Sequence, residues 1–140
     1  MKKLRLFVLI TSVLCYCLSL TQDAFYIDRV DHNAWSSGLW LLLVGWLGAL
    51  MGGGAALTWL ANPALFFSWF LLFGDVKSAV LAGVAASIIA LSFLLFTEVI
   101  TSEAPTYSKI TFYGLGYWLW LSSCLTIAIG ATALYRLRHE

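Results

Sequence analysis

The sequence predicts an all-α membrane protein, a bundle of four transmembrane helices with a broken or re-entrant central segment at 38–73. Three observations carry this. Of 140 residues, 61% are hydrophobic and 11% charged, with a mean hydropathy of +0.89. Soluble domains carry about 25% charged residues, and a water-soluble fold of this size could not hide so much apolar surface. Uncharged runs at 6–20, 38–73, 78–97 and 110–135 alternate with short polar stretches. The basic residues gather beside alternate polar stretches. One domain, 1–140, is the natural count. The formal net charge is +1. No basic run is long enough to track phosphates, so the reading includes no nucleic acid partner.

The first helix is expected at about 5–21. Lys2, Lys3 and Arg5 precede an apolar, uncharged stretch, which fits a signal peptide or an uncleaved signal anchor. The anchor is the preferred reading. Cys15, Cys17 and Cys124 all lie in apolar segments and read as small buried hydrophobes. Leu14 stands where a lipidation signal before Cys15 would want a small residue.

A polar loop follows at 21–37, with Asp23, Asp28, Asp31, Arg29 and His32. Phe25, Tyr26, Trp35 and Trp40 near its ends suit the headgroup level of a membrane. Asp28, Asp31 and His32 could hold a surface metal ion, but that spacing has low specificity. The loop reads as solvated and no metal site is assigned.

The run 38–73 has no ionisable residue. At about 1.5 Å per residue a straight helix of that length far exceeds the roughly 30 Å hydrocarbon layer. It must therefore bend, break or lie partly along the surface. One version crosses over 38–60, breaks at Asn62 and Pro63, and continues as a short re-entrant or interfacial helix at about 63–73. Proline lacks an N–H and disfavours helix at the preceding residue. Asn62 then caps the following helix and Pro63 takes its first position. The other version breaks at Gly52–Gly54, leaves 38–51 on the surface and crosses over 55–73. Gly48 and Gly52 form a G-x-x-x-G spacing that permits close helix packing. The triplet Asn62-Pro63-Ala64 resembles the half-helix motif of aquaporin channels, which implies a pore. The chain carries one copy, and only three residues match.

Asp75 and Lys77 mark a charged turn, and 78–97 is the third span. Its stripe of Ala79, Ala82, Gly83, Ala86, Ser87 and Ala90 suits tight packing in lipid. A second polar loop, 98–109, holds Glu98, Glu103 and Pro105. The two glutamates read as solvated. The last span is expected at 110–135, with Phe112, Tyr113, Tyr117, Trp118 and Trp120 at its start. Ser122, Ser123 and Thr126 can hydrogen-bond across helices or to their own carbonyls.

Orientation follows from charge. With both termini and the Asp75–Lys77 turn on one side, that side holds six of the eight basic residues, and the other holds five of the seven acids. The positive-inside rule then places both termini in the cytoplasm. A five-span layout would put Arg136 and Arg138 outside.

Trp59–Pro63 (WLANP) and Gly116–Trp120 (GYWLW) lie in the two stretches 45–73 and 108–123. On these stretches the chain resembles small bacterial multi-pass inner-membrane proteins of unassigned function. The resemblance implies the same location and a similar helical layout, and no activity.

Catalysis in a membrane usually relies on ionisable groups facing the interior, and the spans offer essentially none. The expectation is therefore a structural, interaction or accessory subunit without catalysis and without a cofactor. Its partners are the lipid bilayer and another membrane protein or a second copy. A pore or transporter subunit acting as an oligomer is the alternative, because broken helices often line binding sites. A membrane immunity-type protein is a third reading.

Overall fold

The computed structural model describes residues 1–28, 36–51, 53–100 and 106–139. Among these run helix α1 (Lys2–Leu20), strand β1 (Phe25–Ile27) and helix α2 (Gly38–Met51). A 3₁₀ segment, Gly54–Leu60, passes directly into α3 (Ala61–Leu71). Helix α4 (Val76–Ser92) ends in a 3₁₀ turn, Phe93–Leu95, and is followed by β2 (Glu98–Ile100), β3 (Tyr107–Tyr113) and α5 (Leu115–Arg136). Among the described residues, four helical stretches are long and apolar enough to cross a membrane: Lys2–Leu20, Gly54–Leu71, Val76–Leu95 and Leu115–Arg136. Together they support a small multi-pass membrane protein.

The all-α expectation is corrected by a three-stranded antiparallel sheet of order β1-β3-β2. Phe25 pairs with Tyr113 and Tyr26 with Phe112, and a bulge then shifts Ile27 onto Ile110. Glu98 stands opposite Lys109 and Ile100 opposite Tyr107. The aromatic and β-branched residues of 107–113 favour a pleated, half-buried surface. That is why 110–113, expected at the head of the last span, belongs to β3 and α5 begins only at Leu115.

The central run breaks at Gly53 and Gly54, with φ of 67° and 60°. L-side chains rarely adopt this left-handed backbone, and glycine enters it freely. The expected break at Asn62 and Pro63 is absent, because helix continues through both residues. The reason is local. Proline is tolerated in a membrane helix when 3₁₀ adjustment re-satisfies the freed carbonyls, and the 3₁₀ segment lies immediately upstream. The expected span 38–60 therefore divides into α2, too short at 14 residues to cross, and the beginning of the next span. The expected re-entrant helix at 63–73 is the second half of that span.

The spans pack antiparallel, with α5 lying most extensively against α1 and α4, and α3 against α4. Arg5 Nη1 donates to the Phe73 carbonyl at 3.2 Å, so the start of α1 sits beside the end of α3. Asp75 caps α4: the Ser78 hydroxyl and the Lys77 N–H donate to its carboxylate and hold it below the usual range. Lys2, Lys3, Arg5, Lys77, Arg136 and Arg138 thus share one end of the bundle, and the sheet occupies the other.

Close approach between α1 and α5 depends on Gly130. A Cβ built there would collide with Val8 Cγ1 and lie 2.6 Å from Val8 Cγ2. We expect Gly130→Ala to destabilise the bundle by about 1–3 kcal/mol, the usual range for overpacking. Val8→Ala in the same chain should recover part of that loss. Thermal unfolding of the four members of the cycle checks it; independent, additive effects would contradict the contact.

Candidate functional site

Helix α1 carries Ser12, Tyr16 and Ser19 at spacings of four and three, which places them on one face. That face meets α3 and α5. Ser12 Oγ donates to the Ser123 carbonyl at 2.9 Å, and Ser123 Oγ returns a bond of 2.7 Å to the Ser12 carbonyl. Trp69 Nε1 of α3 donates to Ser12 Oγ at 2.8 Å. Three helices are tied at one level by side chains that lipid could not satisfy.

One turn nearer the sheet lies Asn62, only 7% exposed. Its Oδ1 accepts from Tyr16 OH at 3.1 Å and from Trp120 Nε1 at 2.9 Å. An indole N–H can only donate, so this pair fixes which way the amide faces. Beyond it, Tyr117 OH donates to the Ala90 carbonyl at 3.0 Å. The Tyr117 ring packs with Phe93 and Tyr113, and Phe25 joins through Phe93. This aromatic cluster couples the sheet to α4 and α5.

Between Asn62 and the sheet is a cavity of about 250 Å³. Its walls come from α1, the 3₁₀ segment, β2 and α5, and α2 covers it. Helix α2 is held close to the 3₁₀ segment by two glycines. A Cβ on Gly45 would meet Trp59 Cδ1 at 2.7 Å, and one on Gly48 would meet Ala56 Cβ at 3.0 Å. Trp59 Nε1 also donates to the Leu42 carbonyl at 3.1 Å. Among the described residues no Asp, Glu, Lys, Arg or His lines the cavity.

Of the residues singled out from sequence, Asn62 lies at the heart of the site and Gly48 at the seat of its cover. Pro63 lies beside Asn62 inside continuous helix. Gly52 lies outside the described residues, as do Asp31, His32 and Glu103 of the weighed loop groupings. Ser123 bonds across to α1 as expected of a serine in lipid, whereas Ser122 is exposed. The α4 stripe buries Ala79, Gly83, Ala86, Ser87 and Ala90. Sequence reasoning missed Ser12, Tyr16, Trp69 and Trp120. The signal available for the first two was the helical spacing of polar groups within α1.

Compared with known proteins, the chain matches no family model, no curated protein and no solved structure.

Asn62→Leu removes the acceptor shared by Tyr16 and Trp120. Leaving a buried donor unsatisfied costs roughly 1–3 kcal/mol. We expect a clear fall in melting temperature in detergent, larger than that of Ser122→Ala on the exposed side of α5. Equal effects of the two substitutions would count against the Asn62 junction.

Proposed function

We propose that this protein is a small interaction or accessory subunit of the bacterial inner membrane, acting without catalysis and docking another membrane protein through α2. The observation that carries the reading is the state of that helix. All of α2 is apolar apart from its glycines, yet none of its 14 residues is buried. By contrast α5, also largely apolar, buries nine of its 22 residues. Helix α2 is too short to cross and leans on the bundle along its glycine edge. It leaves Leu43, Trp46 and Leu50 facing outward, with Leu50 77% exposed. Small apolar elements of this kind offer van der Waals surface to a second helix in lipid.

The resemblance to small bacterial inner-membrane proteins and the basic character of the terminal end support the location. By the positive-inside rule that end faces the cytoplasm. A reporter active only outside the cytosol should be silent when fused to the C-terminus, and a cytosol-active one should signal. The reverse pattern would overturn the orientation.

The docking face has its own test. A photo-crosslinking residue at Trp46 or Leu50, in the full chain expressed in bacterial membranes, should give a discrete adduct with a protein. The same residue at Ile129, exposed on α5, should give none, and Leu50→Arg should abolish crosslinking from position 46. Diffuse lipid adducts alone at both sites would sink the proposal.

A further inference from the structure

Among the described residues, the cavity beneath α2 is lined by an amide donor, Asn62 Nδ2, that bonds to no acceptor. Asn62 accepts two hydrogen bonds, and both end on Oδ1. Among the described residues none accepts from its Nδ2. The side chain is more than nine-tenths buried and belongs to the cavity wall. Asn62 keeps a small exposed surface, and the cavity is the space it lines. The neighbouring donors are engaged within the protein. Ser19 Oγ bonds to the Tyr16 carbonyl, Thr58 Oγ1 to the Ala55 carbonyl, Trp59 Nε1 to the Leu42 carbonyl and Tyr117 OH to the Ala90 carbonyl.

A buried amide N–H without an acceptor costs free energy, and in lipid no water is at hand to supply one. The rest of the wall is aliphatic and aromatic. At about 250 Å³ the space exceeds the roughly 150 Å³ apolar cavity that takes up benzene. The absence of charge in the wall disfavours a charged group at the inner end of any ligand, since nothing there would pair with it.

We propose that this cavity is a binding site for an uncharged, membrane-soluble compound with a carbonyl oxygen on an apolar body. The carbonyl accepts from Asn62 Nδ2 and the apolar part fills the space between Trp59, Trp120, Ala55 and α2. Two sources share this chemistry: the ester carbonyl of a neutral lipid and the ring carbonyl of a quinone. The site stands independently of the docking face, which uses the opposite, outward side of α2.

The test uses the full chain in detergent micelles and follows melting temperature against probe concentration, because a ligand of the folded state stabilises it by RT ln(1 + [L]/Kd). The probes are monoolein against its ether analogue, which lacks the carbonyl, and decyl-benzoquinone against decylbenzene. We expect stabilisation by a carbonyl probe that grows with the logarithm of its concentration, with about tenfold or greater preference over its matched analogue, the factor that about 1.4 kcal/mol confers. Preference only for monoolein assigns the ester source, and preference only for the quinone assigns the other. Ala55→Leu narrows the cavity without touching Asn62 and should weaken binding at least tenfold. Asn62→Leu should erase the preference for the carbonyl. The comparison of matched probes on the unaltered protein remains decisive even if a variant fails to fold. Equal response to both members of each pair, no stabilisation by either carbonyl probe, or unchanged binding in folded Ala55→Leu would overturn the site.

Discussion

Lipid offers no hydrogen-bond partner, so polar groups inside the bundle are matched within the chain, with Asn62 Nδ2 the exception. The arrangement of the helices follows from how these groups are matched. Ser12, Ser123 and Trp69 meet at one level, and Tyr16, Asn62 and Trp120 at the next. Each set joins α1, α3 and α5, and Tyr117 extends the series to α4 through Ala90. Bonds of this type in membranes contribute about 0.6–2 kcal/mol each. Their larger effect is on specificity, because a rotation of any one helix would leave several donors unmatched at once.

The same constraint accounts for the irregular central run. A proline within a span frees a carbonyl, and the 3₁₀ segment before Pro63 tightens the backbone where it must be re-satisfied. Two glycines with positive φ then allow the chain to turn before that segment and lay α2 back over it. Small residues at Gly45 and Gly48 let the two pieces approach. The space left beneath α2 is bounded on one side by Asn62 and on another by the sheet. Cover, cavity and polar junction are thus consequences of one fold-back.

The sheet closes the end of the bundle opposite Lys2, Lys3, Arg5, Lys77, Arg136 and Arg138. Its hydrogen bonds satisfy backbone that leaves the spans without continuing as helix. Gly114 N–H donates to the Ala24 carbonyl and Gly116 N–H to the Asp23 carbonyl, which ties the first polar loop to the start of α5. The ring cluster of Phe25, Phe93, Tyr113 and Tyr117 then seats the sheet on α4 and α5. Aromatic residues that suggest a headgroup belt in sequence serve here as the core of that junction.

Hydropathy and charge by themselves determined that lipid surrounds most of this chain, that apolar runs alternate with polar loops, and that the basic residues cluster at one end. These are local or summed properties, legible in any order of folding. The buried stripe of α4 was legible for the same reason, since its spacing lies within one helix. The strands were not: β1 and β3 are three and seven residues long and lie far apart in the chain, and neither satisfies its backbone alone. Nor could the sequence choose between Asn62-Pro63 and Gly52–Gly54 as the place of the break, because both are poor helix formers in isolation. Tertiary structure decided it. Tyr16 and Trp120 meet Asn62 only if the helix runs on through it, and pairings between distant segments have no signature in the order of residues.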